Sequence, residues 1–258
     1  MKIFRNRATG ALIFIMIALV VIGYMIARQY YRSVNSKIDP RIVQARELYA
    51  RYDSYAHEGN YHKIFNLLDS VEAVYESYPH YKETFEKGVL YNNRAAALIT
   101  ISLFRDSILA DYNPLLNTPP DSIMNMAESN IKKAISIYNN WLDKYDNKSR
   151  EDIVELIDTE FRKEMIAGDQ DLINKYLDAR AGEIITAVEE TDRRLSVCYT
   201  NLGVIERHRR KYEEAVRCYE KALDLWDRNL SAENNLNTLL GRPLKKRNFI
   251  QNLFPPDK

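Results

Sequence analysis

The sequence reads as an all-α chain, a stack of helix-turn-helix units behind one membrane-spanning helix, and three observations predict it. Glycine and proline number only eight each in 258 residues, and no proline occurs between Asp121 and Arg242, a stretch dominated by Ala, Leu, Ile, Glu, Lys, Arg and Asn. Such a composition favours helix almost throughout. Residues 10–27 carry no charge. A pattern of aromatic and small residues at helical spacing recurs near residues 45–78, 88–142 and 196–229. The hydrophobic share of 46% is enough for a core in a chain long enough for one or two domains.

The elements follow in chain order. Residues 1–9 form a short basic tail. Residues 10–27, GALIFIMIALVVIGYMIA, would make about 27 Å of helix at 1.5 Å per residue, close to the thickness of a bilayer core. Arg7 and Arg28 bracket this span, and Tyr24, Tyr30 and Tyr31 suit the interface. A cleaved signal peptide is the competing reading. It needs a shorter apolar core and small residues before the cut, which Met25-Ile26-Ala27 does not supply. Basic residues flank both ends: Lys2, Arg5 and Arg7 before, Arg28, Arg32, Lys37 and Arg41 after. The positive-inside rule is therefore a draw. A short basic amino-terminal tail usually stays in the cytoplasm, which puts the folded part outside it, on the periplasmic side in a bacterium. A linker over 28–40 leads into a folded domain at 41–241, and an extended tail follows at 242–258.

Within the folded part the pattern is clearest in YTNLGVIERHRRKYEEAVRCYEKALDLW, from Tyr199 to Trp226. Two antiparallel helices pack closely when small residues (Gly203, Ala215, Ala222) let the backbones approach and aromatics (Tyr199, Tyr219) fill the space beside them. Leu202 and Tyr212 complete the set. An earlier copy is split between YNNRAAAL, Tyr91 to Leu98, and AESNIKKAISIYNNWL, Ala127 to Leu142. The insert, 102–121, contains Asn113-Pro114 and Pro119-Pro120 and is expected as a loop or a short helix with a loop. The first copy spans 45–78, with Gly59-Asn60-Tyr61 at its turn, and a capping helix is expected at 231–240. Between the second and third copies, Ser149 with Asp152 is a capping-box start for a helix from Arg150 to about Ile166. Gly168-Asp169 then recaps a long helix from about Gln170. Residues 143–195 read either as a degenerate repeat or as an insertion.

The Tyr199–Trp226 pattern resembles the tetratricopeptide repeat, a 34-residue helix-turn-helix unit. The resemblance implies a solenoid of about three such units, whose first helices line a concave groove that binds extended peptides or partner helices. By that resemblance the groove-facing residues are Tyr49, Asp53, Asn92, Asn93, Ala96, Thr200, Asn201, Val204 and Asn235. An asparagine there can both donate to and accept from a ligand's backbone. The alternative is that Asn93, Asn201 and Asn235 only satisfy local polar needs.

Charge narrows the partners. Residues 1–41 hold seven basic side chains against Asp39, which leaves the remainder with a net charge of about −5 and argues against nucleic acid, whose binding needs clustered positive charge. The clusters Arg207–Lys211 and Leu244–Arg247 read as a solvated turn and tail. Four histidines without a metal spacing, two cysteines (Cys198 and Cys218), and the lack of a phosphate loop or nucleophile motif point to no metal, no cofactor, no small-molecule substrate and no catalysis. The predicted function is a membrane-anchored adaptor or assembly factor that binds protein partners; the alternative is a structural subunit of a larger envelope or secretion complex.

Overall fold

A computed structural model describes residues 15–17, 19–25, 38–163, 165 and 169–247. Every regular element among them is helical, consistent with a helical-repeat fold. Among the described residues no helix is long and apolar enough to cross a membrane. Of the span expected at 10–27, residues 15–17 and 19–25 are described, as helix with exposed side chains. The rest of that span, the tail 1–9 and most of the linker lie outside the described residues.

A 3-10 turn at Pro40–Ile42 opens the folded part, with the Asp39 carboxylate accepting from the Arg41 N–H at 2.9 Å. The first unit pairs α1 (Val43–Tyr49) and α2 (Tyr52–Glu58) with α3 (Tyr61–Glu76). The chain breaks its helix at Ala50–Arg51, and Tyr49 stacks on Tyr52 across the break. Gly59 ends α2 at φ 64, a conformation that suits a residue without Cβ, and Asn60 then caps α3 by accepting from the Lys63 N–H.

The second unit pairs α4 (Phe85–Leu103) with α5 (Pro120–Tyr145). Between them the insert forms two 3-10 turns, Arg105–Ser107 and Ala110–Tyr112, in place of a further α-helix. Pro120 sits in the first turn of α5, where its missing N–H is no loss. Next comes α6 (Arg150–Lys163), whose start is the expected box: Asp152 N–H donates to Ser149 Oγ, and Ser149 N–H to the Asp152 carboxylate.

Asp169 caps α7 (Gln170–His208), which runs unbroken for 39 residues, about 58 Å. Its first half packs against α6 and its second half pairs with α8 (Tyr212–Leu225) as the third unit. The last helix, α9 (Leu230–Leu239), is capped by Asn229 and packs on α8 and α7.

The core is one continuous layer through all three pairs, from Ile42 and Leu68 through Leu98, Ile131 and Tyr138 to Ile184 and Ile205. Two close approaches fix its geometry. A Cβ on Gly203 would collide with the ring of Tyr219, and one on Gly88 with the ring of Tyr138. Both rings are fully buried, so the bare backbone is what lets each pair close.

Candidate functional site: the inner face

The first helices of the units lie side by side. Tyr49 on α1, Asn92 and Asn93 on α4, and Asn201 on α7 are joined in sequence across that face. Asn93 Nδ2 donates to Tyr49 Oη at 2.7 Å, and Asn201 Nδ2 donates to Asn92 Oδ1 at 3.0 Å. The Cys198 thiol also points at Asn92 Oδ1, at 3.5 Å. Arg207 carries the series to the last helix, donating to Asn235 Oδ1 at 3.2 Å, while Asn235 Nδ2 returns to the Ser231 carbonyl. Each asparagine thus spends one end of its amide on a neighbouring helix. These bonds set the spacing of the inner helices and leave the residues half-buried.

The other residues predicted for this face divide. Ala96 and Val204 are half-buried on it. Thr200 is turned inward, donating to the Ser196 carbonyl and accepting from Asn229 Nδ2 at 2.9 Å, so it secures the cap of α9. Asp53 is exposed on α2 and makes no side-chain hydrogen bond to the others among the described residues. Of the packing residues, Gly203, Ala215, Tyr219 and Ala222 are buried, and Tyr199 and Leu202 half-buried. Tyr212 is 54% exposed: it borders a shallow hollow with Val216, Leu239 and Leu240 at the end of the array, where no further described unit covers it. Both cysteines are free thiols, and burial pushes that of Cys198 up to about 12. In the turn cluster His208, Arg210 and Lys211 are exposed as expected, while Arg209 bridges Glu128 of α5 at 2.7 Å and Glu206 at 3.1 Å.

Residues 196–229 match the tetratricopeptide repeat family model. The repeat covers α7 from Ser196, all of α8, and the turn to Asn229, which is the third helix pair described above. No curated protein and no solved structure matches the chain.

A second polar centre, unforeseen in the sequence, lies where α6 and the first half of α7 meet the first two units. Arg180 of α7 is almost fully buried; it donates to Glu86 at 3.0 Å, Glu183 at 3.1 Å and Thr84 at 2.8 Å, and its guanidinium lies 4.8 Å above the Tyr81 ring. Arg41 forms a parallel layer, paired with Asp39, donating to the Phe161 carbonyl at 3.1 Å and covering the Phe161 ring at 4.3 Å. Tyr81 Oη donates to Asp39 at 2.8 Å and joins the two layers. Burial raises the Glu86 carboxyl, but Arg180 and the Thr84 hydrogen bond outweigh it and hold the group below the usual carboxylate range. His80, edge-on to Tyr81 and Phe161, is pushed down to about 3 by burial and then by Arg180 and Arg41. Matched charges and stacked rings make this centre a clasp between the α6–α7 pair and the first two units.

The inner face carries two open hollows. One, of about 290 Å³, lies between α7 and α9 and is lined by Arg193, Val197, Thr200, Asn201, Trp226 and Arg247 among others. The other, of about 650 Å³, lies between α1, the start of α4 and α7, with Ile38, Arg46, Phe85, Thr186, Ala187 and Glu190 on its walls.

Proposed function

We propose that the protein is a membrane-tethered adaptor that holds an extended segment of a protein partner against the inner face of its repeats. The repeat match at 196–229 carries this reading, because repeats of this kind generally mediate protein-protein interaction. Aligned first helices with half-buried asparagines and two hollows provide a surface suited to extended chain. The tether is supported by residues 15–17 and 19–25, where every described large apolar side chain is exposed, an arrangement costly in water and favourable in lipid. Holding the repeats at a membrane surface raises the local concentration of partners that work there. The repeats are assigned to the extracytoplasmic side. The reading includes no catalytic step: His80, Tyr81 and Tyr138 are shifted chiefly by burial within packed rings, and Arg180 is held charged by Glu86 and Glu183 inside the clasp.

A second reading, a structural subunit that uses its outer surface, is favoured by one observation: Leu103 at the end of α4 and Phe104, Leu109 and Leu116 of the insert are all exposed. A photo-reactive residue introduced singly at Ser231 or Thr186 on the inner face, at Lys221 on the outer helix, or at Leu109 in the insert separates the two. Adducts with other proteins in cells from Ser231 and Thr186, and none from Lys221, are the expected result. Adducts from Leu109 alone would replace the adaptor with the subunit.

A further inference from the structure

The chain beyond α9 takes a course that points into the inner face. Gly241, at φ 65, reverses the chain, and the Arg242 N–H closes the turn on the Asn237 carbonyl at 2.8 Å. The chain then runs back along α9. Asn234 holds it there with both ends of its amide, accepting from the Lys245 N–H at 2.8 Å and donating to the Lys245 carbonyl at 3.0 Å. Lys245 also pairs with Glu233, and Arg247 arrives as a wall of the hollow between α7 and α9. A side-chain amide is thus already gripping extended backbone on this surface.

The direction of travel is fixed by two bonds. Asn229, just before α9, binds Ser196 and Thr200 of α7, and Asn235, within α9, binds Arg207, so α9 and α7 run parallel. A chain antiparallel to α9 therefore heads toward the amino-terminal half of α7. Along that path lies one stripe of α7: Asn201, Val197, Arg193, Glu190, Thr186 and Glu183, spaced three or four residues apart, which lines first the smaller hollow and then the larger one. Residues 248–258, NFIQNLFPPDK, supply Phe249, Ile250, Leu253 and Phe254. From Arg247 to Phe254 an extended chain reaches up to about 23 Å, and the stripe from Arg193 to Glu183 covers about 15 Å.

We propose that this carboxyl-terminal segment is the resident occupant of the inner face, lying antiparallel to α7 with its apolar side chains in the hollow walled by Ile38, Phe85 and Ala187. A partner then binds by displacing it, so the tail sets a threshold for binding. The proposal takes from the functional reading only that extended chain binds on this face, and its test involves no partner.

Thr186 is exposed in the wall of the larger hollow. Thr186→Cys in the full chain, held in detergent micelles, is labelled with a maleimide and read peptide by peptide so that Cys198 and Cys218 serve as internal references. Labelling at position 186 should be at least fivefold slower than in a chain ending at Arg247, and Leu253→Asp with Phe254→Asp in the full chain should restore the fast rate. A photo-reactive residue at Phe254 should cross-link within the same chain to residues 179–190 or to α1. Equal labelling rates, or cross-links formed only between chains, would overturn the proposal while leaving the partner-binding reading standing.

Discussion

The ring of His80 stands edge-on to Tyr81 and Phe161, at 4.9 Å and 5.1 Å between centroids, with Arg41 and Arg180 as its nearest cationic layers and Asp39 as the opposing charge. Its folded pKa of about 3 lies far below the ordinary value near 6.5. Between those values the unfolded chain binds a proton that the folded chain does not, so stability falls as pH drops from about 6.5 toward 3. His80→Phe keeps the edge-on ring and removes the titration. Chemical denaturation at pH 7 and pH 4.5 should show the native protein losing about 2 kcal/mol more than the variant over that interval. Equal losses would mean that His80 is accessible to protons in the folded state. Gly203 is decided at the same scale. Gly203→Ala places a methyl group against the buried Tyr219 ring, and Gly88→Ala does the same at Tyr138. Each should cost about 1–3 kcal/mol, the usual range for overpacking, and lower the melting temperature by several degrees. A variant with unchanged melting would show that the ring moves aside at no cost.

Among the elements, α7 decides the architecture, because one helix serves both as the partner of α6 and as the first helix of the third unit. Arg180 fastens its first half, so Arg180→Met should leave the Glu86 carboxylate with its Thr84 hydrogen bond but without its paired guanidinium. The loss should be about 3 kcal/mol, toward the low end for a broken buried pair because Glu86 retains 31% side-chain exposure. Combining it with Glu86→Gln should recover part of that loss, and strict additivity in denaturant midpoints would contradict the coupling. The helix pairs, the turn at Gly59-Asn60-Tyr61 and the cap at Ser149 were readable because each lies in a short window of sequence: a turn glycine, an apolar period of three and four, a Ser three residues before an Asp. The clasp was not readable. Arg180 meets Glu86 from 94 positions away, Arg41 reaches the Phe161 carbonyl across 120, and Arg46 meets Glu183 across 137. No periodicity links residues so far apart. The Gly88–Tyr138 contact lay nearer to view: Gly88 stands two helical turns before Ala95, which aligns with Gly203, and Tyr138 two turns after Ile131, which aligns with Tyr219. The asparagines were identified by type and position, but a one-dimensional pattern cannot say that Asn92 and Asn201 would turn toward each other.

For the whole molecule the ends of the helices set the polarity. Ile38 and the Asp39–Arg41 layer meet the Pro79–Tyr81 turn and the start of α4, whereas the exposed apolar insert follows the far end of α4, about 28 Å away along its 19 residues. A chain tethered through the residues before Ile38 would therefore hold the clasp toward the bilayer and project Phe104 and Leu109 away from it. The insert then lies away from lipid, and the inner face runs between the two ends. A carboxyl-terminal tag tests this arrangement through protease access in intact cells, in cells with a permeabilised outer barrier, and in detergent. Digestion before detergent, with the protein retained in the membrane fraction after alkaline washing, is the expected result. Protection until detergent would turn the repeats to the cytoplasmic face while keeping the tether. Release into the soluble fraction would remove the tether, and the exposed apolar side chains of residues 15–17 and 19–25 would then need a protein surface to cover them.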